Sequence, residues 1–184
     1  MGHITFVTGG ARSGKSRYAE RLAKERGKQV SYIATSIPFD EGMKNRIKKH
    51  RQRRPKEWMT IERYRDFGEI LGTKEYEKTD IFLVDCITVM INNLMFYSGL
   101  DFDHCRVEQV DELEKEIFQE VEKLLLLAEQ KDMILVSNEV GMGLVPAYKM
   151  GNYYRDIVGR VNQWIASKAD EVFFLVSGLP MKLK

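Results

Sequence analysis

The sequence predicts an α/β fold in which helices flank a mainly parallel β-sheet. Short apolar runs rich in β-branched and aromatic residues alternate with segments of helical character. Most of these runs are solidly apolar, as expected for strands that are buried on both faces. The 184 residues, 43% of them hydrophobic, suffice for one compact core, and no linker or internal repeat divides them. We therefore predict a single domain over residues 1–184.

The predicted strands place polar residues at one edge of the sheet. They span residues 4–7, 30–34, 81–84, 133–136 and 172–176. Ligands of open parallel sheets bind beyond the carboxyl ends of the strands. The residues that follow the strands are mostly hydroxyls, carboxylates and glycines: Thr8-Gly9, Thr35-Ser36, Asp85, Ser137-Asn138-Glu139 and Ser177-Gly178. This edge is predicted to form a polar crevice that is compatible with a metal ion.

Helices are predicted over residues 15–26, 41–53, 87–97, 107–130 and 152–168. The fourth is the longest and the richest in charge pairs at i,i+4 spacing. In the last, helical spacing of apolar side chains indicates a packing face that comprises Tyr154, Ile157, Val158, Val161 and Ile165. An exposed part of such a face would suit a subunit interface.

Composition predicts a cytoplasmic protein. The net charge of +2, from 29 basic and 27 acidic side chains, means that any electropositive feature arises from local clustering. Cys86 and Cys105 have neither zinc-site spacing nor the number needed for a disulfide scaffold. The amino terminus lacks signal-peptide features, and no apolar stretch approaches the roughly 20 residues of a membrane span.

A phosphate-binding loop follows the first predicted strand and precedes the first predicted helix. The pattern G-x-x-x-x-G-K-[ST] is satisfied by Gly9, Gly14, Lys15 and Ser16. Its glycines let backbone N–H groups point at phosphate oxygens. Lys15 is expected to contact the β- and γ-phosphates, and the Ser16 hydroxyl is expected to be a ligand of Mg²⁺. The alternative is a glycine turn that happens to carry Lys-Ser. With the strand and helix in place, we predict a P-loop NTPase with a RecA-like sheet.

Asp85 is a candidate metal ligand. It closes an apolar strand, where a carboxylate can reach Mg²⁺ or its water shell. Asp in this position is also common as a helix cap, and Cys86 and Ile87 could begin a helix there. Both interpretations stay open from the residues alone.

A basic segment surrounds His50. Between Lys44 and Lys56 it holds eight Lys or Arg residues and no acid. The segment fits a solvated basic helix, a surface that binds nucleic acid, or a clamp for small-molecule phosphates. Against the nucleic-acid alternative, the segment contains no aromatic residue for base stacking before Trp58. Nearby cations disfavour protonation of the imidazole, which leaves a neutral nucleophile that can attack phosphorus.

The sequence resembles one known family along essentially the whole chain. The likeness rests on contiguous motifs rather than on composition: residues 8–16, 32–35, Arg46-Ile47 with His50-Arg51, Arg54-Pro55, Trp58, Glu62, residues 138–143, Val145-Pro146, residues 155–157, 159–163, 169–172 and 176–178. These motifs are similar to those of the bifunctional adenosylcobinamide kinase/adenosylcobinamide-phosphate guanylyltransferase family of cobalamin biosynthesis.

The resemblance implies two reactions. One phosphorylates the aminopropanol hydroxyl of adenosylcobinamide, and the other transfers GMP from GTP to the product, which releases pyrophosphate. It implies GTP, or ATP for the kinase step, with Mg²⁺. In the family a histidine within an Arg-Ile-x-x-His motif carries GMP covalently, and His50 is the residue that matches. His50 and Lys15 are thus the catalytic candidates.

The resemblance also implies a set of nucleotide contacts. They are the loop residues Gly9, Gly10, Ala11, Arg12, Ser13, Gly14, Lys15 and Ser16, then Ala34, Thr35, Ser36, Arg51, Gln52, Arg53, Arg54, Glu62 and Asp85. Ser16 and Asp85 would hold the metal. Taken alone, Glu62 is equally a surface residue at a strand edge.

The remaining implications concern partners. The corrinoid is expected near residues 138–143, whose glycines suit either a loop that closes over substrate or a simple tight turn. The family implies a homo-oligomer, a trimer, with no nucleic acid and no membrane span. Two alternatives remain: a small-molecule P-loop kinase without the guanylyl step, and a nucleic-acid-associated NTPase.

Overall fold

The chain folds around one twisted sheet with helices on both faces. The computed structural model describes residues 2–27, 29–37 and 54–184. Within these residues the strands are β1 (Ile4–Gly9), β2 (Val30–Ala34), β3 (Met59–Glu62), β4 (Ile81–Asp85), β5 (Asp132–Val136), β6 (Glu171–Val176) and β7 (Leu179–Lys182). The sheet order is β3-β2-β4-β5-β1-β6-β7. All neighbours pair in parallel except β6 and β7, which form an antiparallel hairpin.

Helices connect these strands. They are α1 (Lys15–Arg26), α2 (Lys74–Lys78), α3 (Ile87–Phe96), α4 (Val107–Leu126) and α5 (Lys149–Lys168), with short 3₁₀ turns at Phe67–Ile70 and Leu127–Glu129. Among the residues that the structure describes, no helix is long and apolar enough to cross a membrane.

The predicted parallel sheet and its flanking helices are confirmed. Every predicted strand is present, and the helix over residues 15–26 has the predicted bounds. The last helix begins at Lys149, three residues before the predicted start, and the long fourth helix ends as a 3₁₀ turn. Strands β3 and β7 were not predicted. The predicted helix over residues 41–53 lies outside the described residues.

Two apolar cores sandwich the sheet. On one face, α1 packs over side chains of β1, β2, β4 and β5, with Ala19, Leu22 and Ala23 turned inward. On the other face a larger core joins the sheet to α3, α4 and α5. There Ile157, Val158, Val161 and Ile165 are fully covered, which confirms the predicted packing face. Burial on both sides explains why the central strands carry unbroken apolar runs.

The strand order gathers the predicted crevice residues along one edge. The neighbouring strands β1 and β5 are parallel, but their connections lead to opposite sides of the sheet, from β1 to β2 and from β5 to β6. A crevice opens at such a switch point, beyond the carboxyl ends of the strands. Strand β5 separates β1 from β4, so Asp85 ends a strand two positions away from the phosphate loop.

Candidate functional site

The phosphate loop needs glycine where it leaves β1. Gly9 has a φ of 149°, and a Cβ built on it would lie 2.5 Å from the carbonyl oxygen of Leu175 on β6. Since real Cβ atoms do not approach a backbone oxygen so closely, a side chain here would push the loop from the sheet. The loop therefore begins in direct contact with the neighbouring strand.

The loop ends by presenting the open N-terminus of α1. Gly14 is the N-cap residue in a left-handed conformation, with φ 93°, and no side chain caps the helix. The first turn of α1 contains no acidic residue. The leading N–H groups of a helix have no partners within it, and they favour an anion together with the helix dipole. The geometry thus provides a site for phosphate oxygens.

Lys15 lies inside this loop. Its side chain is buried, and Nζ donates a hydrogen bond to the Gly10 carbonyl oxygen at 2.6 Å. Burial lowers the pKa of Lys15, while the neighbouring Cys86 and Asp85 act in the opposite direction. Desolvation penalises the ammonium charge, and a bound phosphate would compensate for it. The lysine is therefore positioned for an anionic ligand.

Asp85 belongs to a layered cluster on the α1 face of the sheet. The Tyr32 hydroxyl donates to Asp85 Oδ2 at 2.9 Å. The guanidinium carbon of Arg54 lies 3.6 Å from the centroid of the Tyr32 ring. Tyr32 and Arg54 are both buried. The cluster brings together two residues predicted as nucleotide contacts, and Tyr32 joins them, a role that the sequence did not suggest.

Two of the hydroxyls predicted to line the crevice, those of Thr35 and Ser137, bond within the protein. Thr35 Oγ1 donates to the Cys86 carbonyl oxygen at 2.8 Å and accepts from the Cys86 amide at 2.9 Å. Ser137 Oγ donates to Asn162 Oδ1 at 2.7 Å. The first two bonds join the carboxyl ends of β2 and β4, and the third joins the end of β5 to α5. By contrast, Thr8 Oγ1 is buried, and no described residue supplies it with a hydrogen-bond partner.

The predicted nucleotide contacts extend along the sheet edge. Ala34, Thr35 and Ser36 follow β2, and Glu62 ends β3 with its side chain exposed. Strand β3 is four positions from β1 in the sheet, which corresponds to about 19 Å at normal strand spacing. A group bound near Glu62 is therefore not the phosphate that Lys15 would hold.

The loop between β5 and α5, residues 137–148, borders the phosphate loop and is called the apolar loop below. The Glu139 amide donates to the Gly9 carbonyl oxygen at 2.9 Å, which joins this loop to the end of β1. Its apolar side chains project outward: Met142 is 80% exposed and Leu144 is 96% exposed. Farther on, the Asn152 side-chain amide donates to the Pro146 carbonyl oxygen at 3.0 Å. Apolar residues are thus displayed on an anchored loop beside the phosphate loop.

A metal ion would be held mainly by oxygen atoms. Among residues 2–27, 29–37 and 54–184, no group of three His, Cys, Asp or Glu side chains is placed to bind a metal. Ser16 and Asp85 supply a hydroxyl and a carboxylate, which suit Mg²⁺ when nucleotide phosphates and water complete its shell. Both cysteines are free thiols, and burial raises the pKa of Cys86 to about 11. The donor set therefore fits Mg²⁺ and not a thiolate-bound metal.

The fold and this site define a P-loop NTPase. A solved structure similar to the chain is described as "a prototypical ATPase from the type III secretion system of pathogenic bacteria", with a TM-score of 0.54. At 11% identity the likeness shows the fold alone. It covers 96% of this chain but only 52% of that one, so the chain spans about half the length of the ATPase.

Sequence comparison identifies the family within this class. The family model for cobinamide kinase/cobinamide phosphate guanyltransferase matches residues 5–183, and the chain belongs to that family. The bifunctional adenosylcobalamin biosynthesis protein CobU of Escherichia coli is 42% identical over 98% of this chain and 99% of its own. CobU of Salmonella typhimurium is 43% identical over the same shares. The bifunctional protein CobP of Pseudomonas aeruginosa is 42% identical over 97% of this chain and 96% of its own.

Some predicted site residues cannot be located. His50, Arg51, Gln52 and Arg53 lie outside the described residues. The roles that the resemblance assigns to them remain predictions.

Proposed function

We propose that this protein phosphorylates adenosylcobinamide and then transfers GMP from GTP to adenosylcobinamide phosphate, as a bifunctional enzyme of cobalamin biosynthesis. Family membership over residues 5–183 supports both activities. The observation that carries the proposal within the structure is the phosphate loop. Its buried Lys15 and the uncapped α1 together provide a charged cradle for a nucleoside triphosphate.

The kinase step is an in-line phosphoryl transfer. The aminopropanol hydroxyl oxygen forms a bond to the γ-phosphorus, the bond to the bridging β,γ-oxygen breaks, and the hydroxyl proton leaves to a base or water. Lys15 and the loop amides stabilise negative charge on the phosphate oxygens. Because the loop is fixed against β6 through Gly9, these donors are positioned before the nucleotide arrives. GTP or ATP would serve as the donor.

The guanylyl step uses GTP, and the reaction takes place at the α-phosphorus instead of the γ-phosphorus. The neutral imidazole of His50 attacks the α-phosphorus of GTP, and pyrophosphate leaves. A phosphate oxygen of adenosylcobinamide phosphate then attacks the guanylyl group, which gives adenosylcobinamide-GDP and regenerates the imidazole. The covalent step divides one transfer into two in-line displacements. The predicted nucleotide contacts at the ends of β2 and β3 lie away from Lys15, and β3 is about 19 Å from β1. These residues can therefore bind parts of GTP that are distant from the phosphates held by Lys15.

Ser16 and Asp85 would hold Mg²⁺. When bound, the ion supplies positive charge that stabilises the phosphate oxygens during transfer. Ser16 is the second residue of α1, next to Lys15, and Asp85 lies at the end of β4 with one carboxylate oxygen bonded to Tyr32. The protein thus contributes two oxygen ligands whose positions are set by different elements.

The apolar loop would bind the corrin acceptor. Met142, Leu144 and Tyr148 expose apolar surface beside the phosphate loop, where the acceptor must approach. The corrin ring carries methyl groups between its polar amide side chains, so contact of those methyl groups with these side chains would remove apolar surface from water. The nearby loop amides would remain available for phosphate.

The proposal extends to assembly and location. The composition leads us to expect a cytoplasmic protein, and the family resemblance leads us to expect a homo-oligomer, a trimer. Light scattering on the purified protein would measure the mass, and a monomer of 21.4 kDa would contradict the assembly.

Labelled GTP tests the two reactions separately. With α-labelled GTP we expect an acid-labile, base-stable label on the denatured protein. With γ-labelled GTP we expect label in the corrinoid, from the kinase step, and in released pyrophosphate, from the guanylyl step, but none on the protein. His50→Ala should abolish protein labelling. His104→Ala is the matched control, because His104 is exposed and bonded to Asp101 outside the site. Equal labelling of His50→Ala and wild type would exclude the histidine, and γ-transfer without protein labelling would favour a plain kinase.

A further inference from the structure

We propose that Tyr32 is a positioning residue that orients Asp85 through its hydroxyl and Arg54 through its ring. The inference rests on the proposed function in one respect, namely that Asp85 binds the metal ion and Arg54 contacts the nucleotide. Tyr32 belongs to neither the phosphate loop nor the predicted contacts. Its geometry nevertheless connects two of them.

Sheet register explains how the tyrosine reaches Asp85. Tyr32 on β2 pairs with Leu83 on β4, and Asp85 lies two residues beyond Leu83. Alternate residues of a strand share a face, so Tyr32 and Asp85 are diagonal neighbours on the α1 face. A diagonal separation is within reach of an aromatic side chain. The 2.9 Å hydrogen bond is thus a consequence of the parallel register.

The tyrosine hydroxyl is the donor in its bond to Asp85. An ionised carboxylate can only accept hydrogen bonds, so the O–H of Tyr32 donates to Oδ2 at 2.9 Å. The second oxygen of the carboxylate can coordinate Mg²⁺ or accept a hydrogen bond from a metal-bound water. Fixing Oδ2 restricts rotation of the whole group and thereby orients the second oxygen.

The tyrosine ring supports Arg54. The guanidinium carbon is 3.6 Å from the ring centroid, which is van der Waals contact of two flat groups. An arginine stacked in this way has its N–H groups directed outward in the plane of the guanidinium, where they can donate hydrogen bonds to phosphate or carboxylate groups. Arg54 is 8% exposed, so the stack is a buried arrangement and not a surface encounter. One side chain thus sets the position of an anionic and a cationic group.

Two substitutions separate the roles of the hydroxyl and the ring. Tyr32→Phe keeps the ring under Arg54 and removes the bond to Asp85, whereas Tyr32→Leu removes both. Tyr76→Phe is the matched control, because Tyr76 is a buried tyrosine in the opposite core, where its ring stacks on Phe82. Thermal unfolding of each variant should first show a folded protein.

The measurement is binding of a fluorescent GTP analogue to the intact protein, with Mg²⁺ titrated and with EDTA. For Tyr32→Phe we expect the half-saturating Mg²⁺ concentration to rise roughly tenfold, the scale of a lost hydrogen bond to a charged group. Its nucleotide affinity in EDTA should equal that of wild type. Tyr32→Leu should also bind the analogue more weakly in EDTA, and Tyr76→Phe should change neither value.

Each outcome bears on one part of the inference. Wild-type Mg²⁺ dependence in Tyr32→Phe would overturn the orientation of Asp85, and equal EDTA affinities of Tyr32→Phe and Tyr32→Leu would overturn the support of Arg54. Binding of the analogue does not require the guanylyl step. Failure of wild type to label with α-labelled GTP would therefore overturn the proposed function and leave the binding comparison valid.

Discussion

Substitution of Gly9 by alanine should destabilise the protein through a clash between the loop and β6. The new Cβ would lie 2.5 Å from the Leu175 carbonyl oxygen, and Gly9 already has φ 149°, a conformation that alanine rarely adopts. Backbone strain and overpacking each cost about 1–3 kcal/mol. We expect the free energy of unfolding to fall by about 2–6 kcal/mol. For a chain of this size, such a loss lowers Tm by roughly 4–24 °C.

Gly10 provides a control in the same loop. A Cβ built on Gly10 has no neighbouring atom within 4 Å, so Gly10→Ala should change the free energy of unfolding by less than about 0.5 kcal/mol without nucleotide. Urea unfolding followed by circular dichroism would compare both variants with wild type. Equal stabilities of Gly9→Ala and wild type would refute the clash. Equal losses in the two variants would show that any added methyl group disturbs the loop.

Three further predictions concern charge and surface. Lys15→Met should abolish tight GTP binding in nucleotide titrations without lowering the free energy of unfolding, because the lost ammonium is a desolvated charge; unchanged affinity would contradict its role. Bonds from Lys182, Arg26 and His3 lower the pKa of Glu171 from 4.5 to about 2. The stability that this carboxylate provides is therefore complete above pH 4.5 and is lost as the pH falls towards 2. Acid titration of unfolding should show a smaller loss in that window for Glu171→Gln than for wild type, and parallel curves would refute the assignment. Leu144→Ser should raise the KM for the corrinoid several-fold and leave the KM for GTP unchanged. The control Leu183→Ser, at an exposed leucine beside the start of β6, should affect neither; similar corrinoid KM values in both variants would exclude the loop.

The central strands and the phosphate loop were predictable because their signals are contiguous. Strands buried on both faces need unbroken apolar runs, and the loop needs its glycines, Lys15 and Ser16 within eight successive residues. Strand β3 was missed because an edge strand is half covered and its four residues alternate in burial. Strand β7 was missed because all four of its residues are exposed.

Side-chain roles at the sheet edge were less predictable. The sequence placed Thr35 and Ser137 in a polar crevice from their positions after strands. In the structure their hydroxyls bond to Cys86 and Asn162, which are far away along the chain. Nothing local to a hydroxyl shows whether its partner is a ligand or a neighbouring strand, because that depends on which strands become adjacent.

The sequence by itself determined the ligand class and the location of the phosphate cradle, since both depend on residues that are consecutive in the chain. Tertiary structure alone decided the surroundings of Asp85. Parallel register between β2 and β4 brings Tyr32 diagonally to Asp85, and Arg54 arrives there from the segment before β3. Such contacts form between residues distant in sequence, so their chemistry is specified only once strand order and register are set.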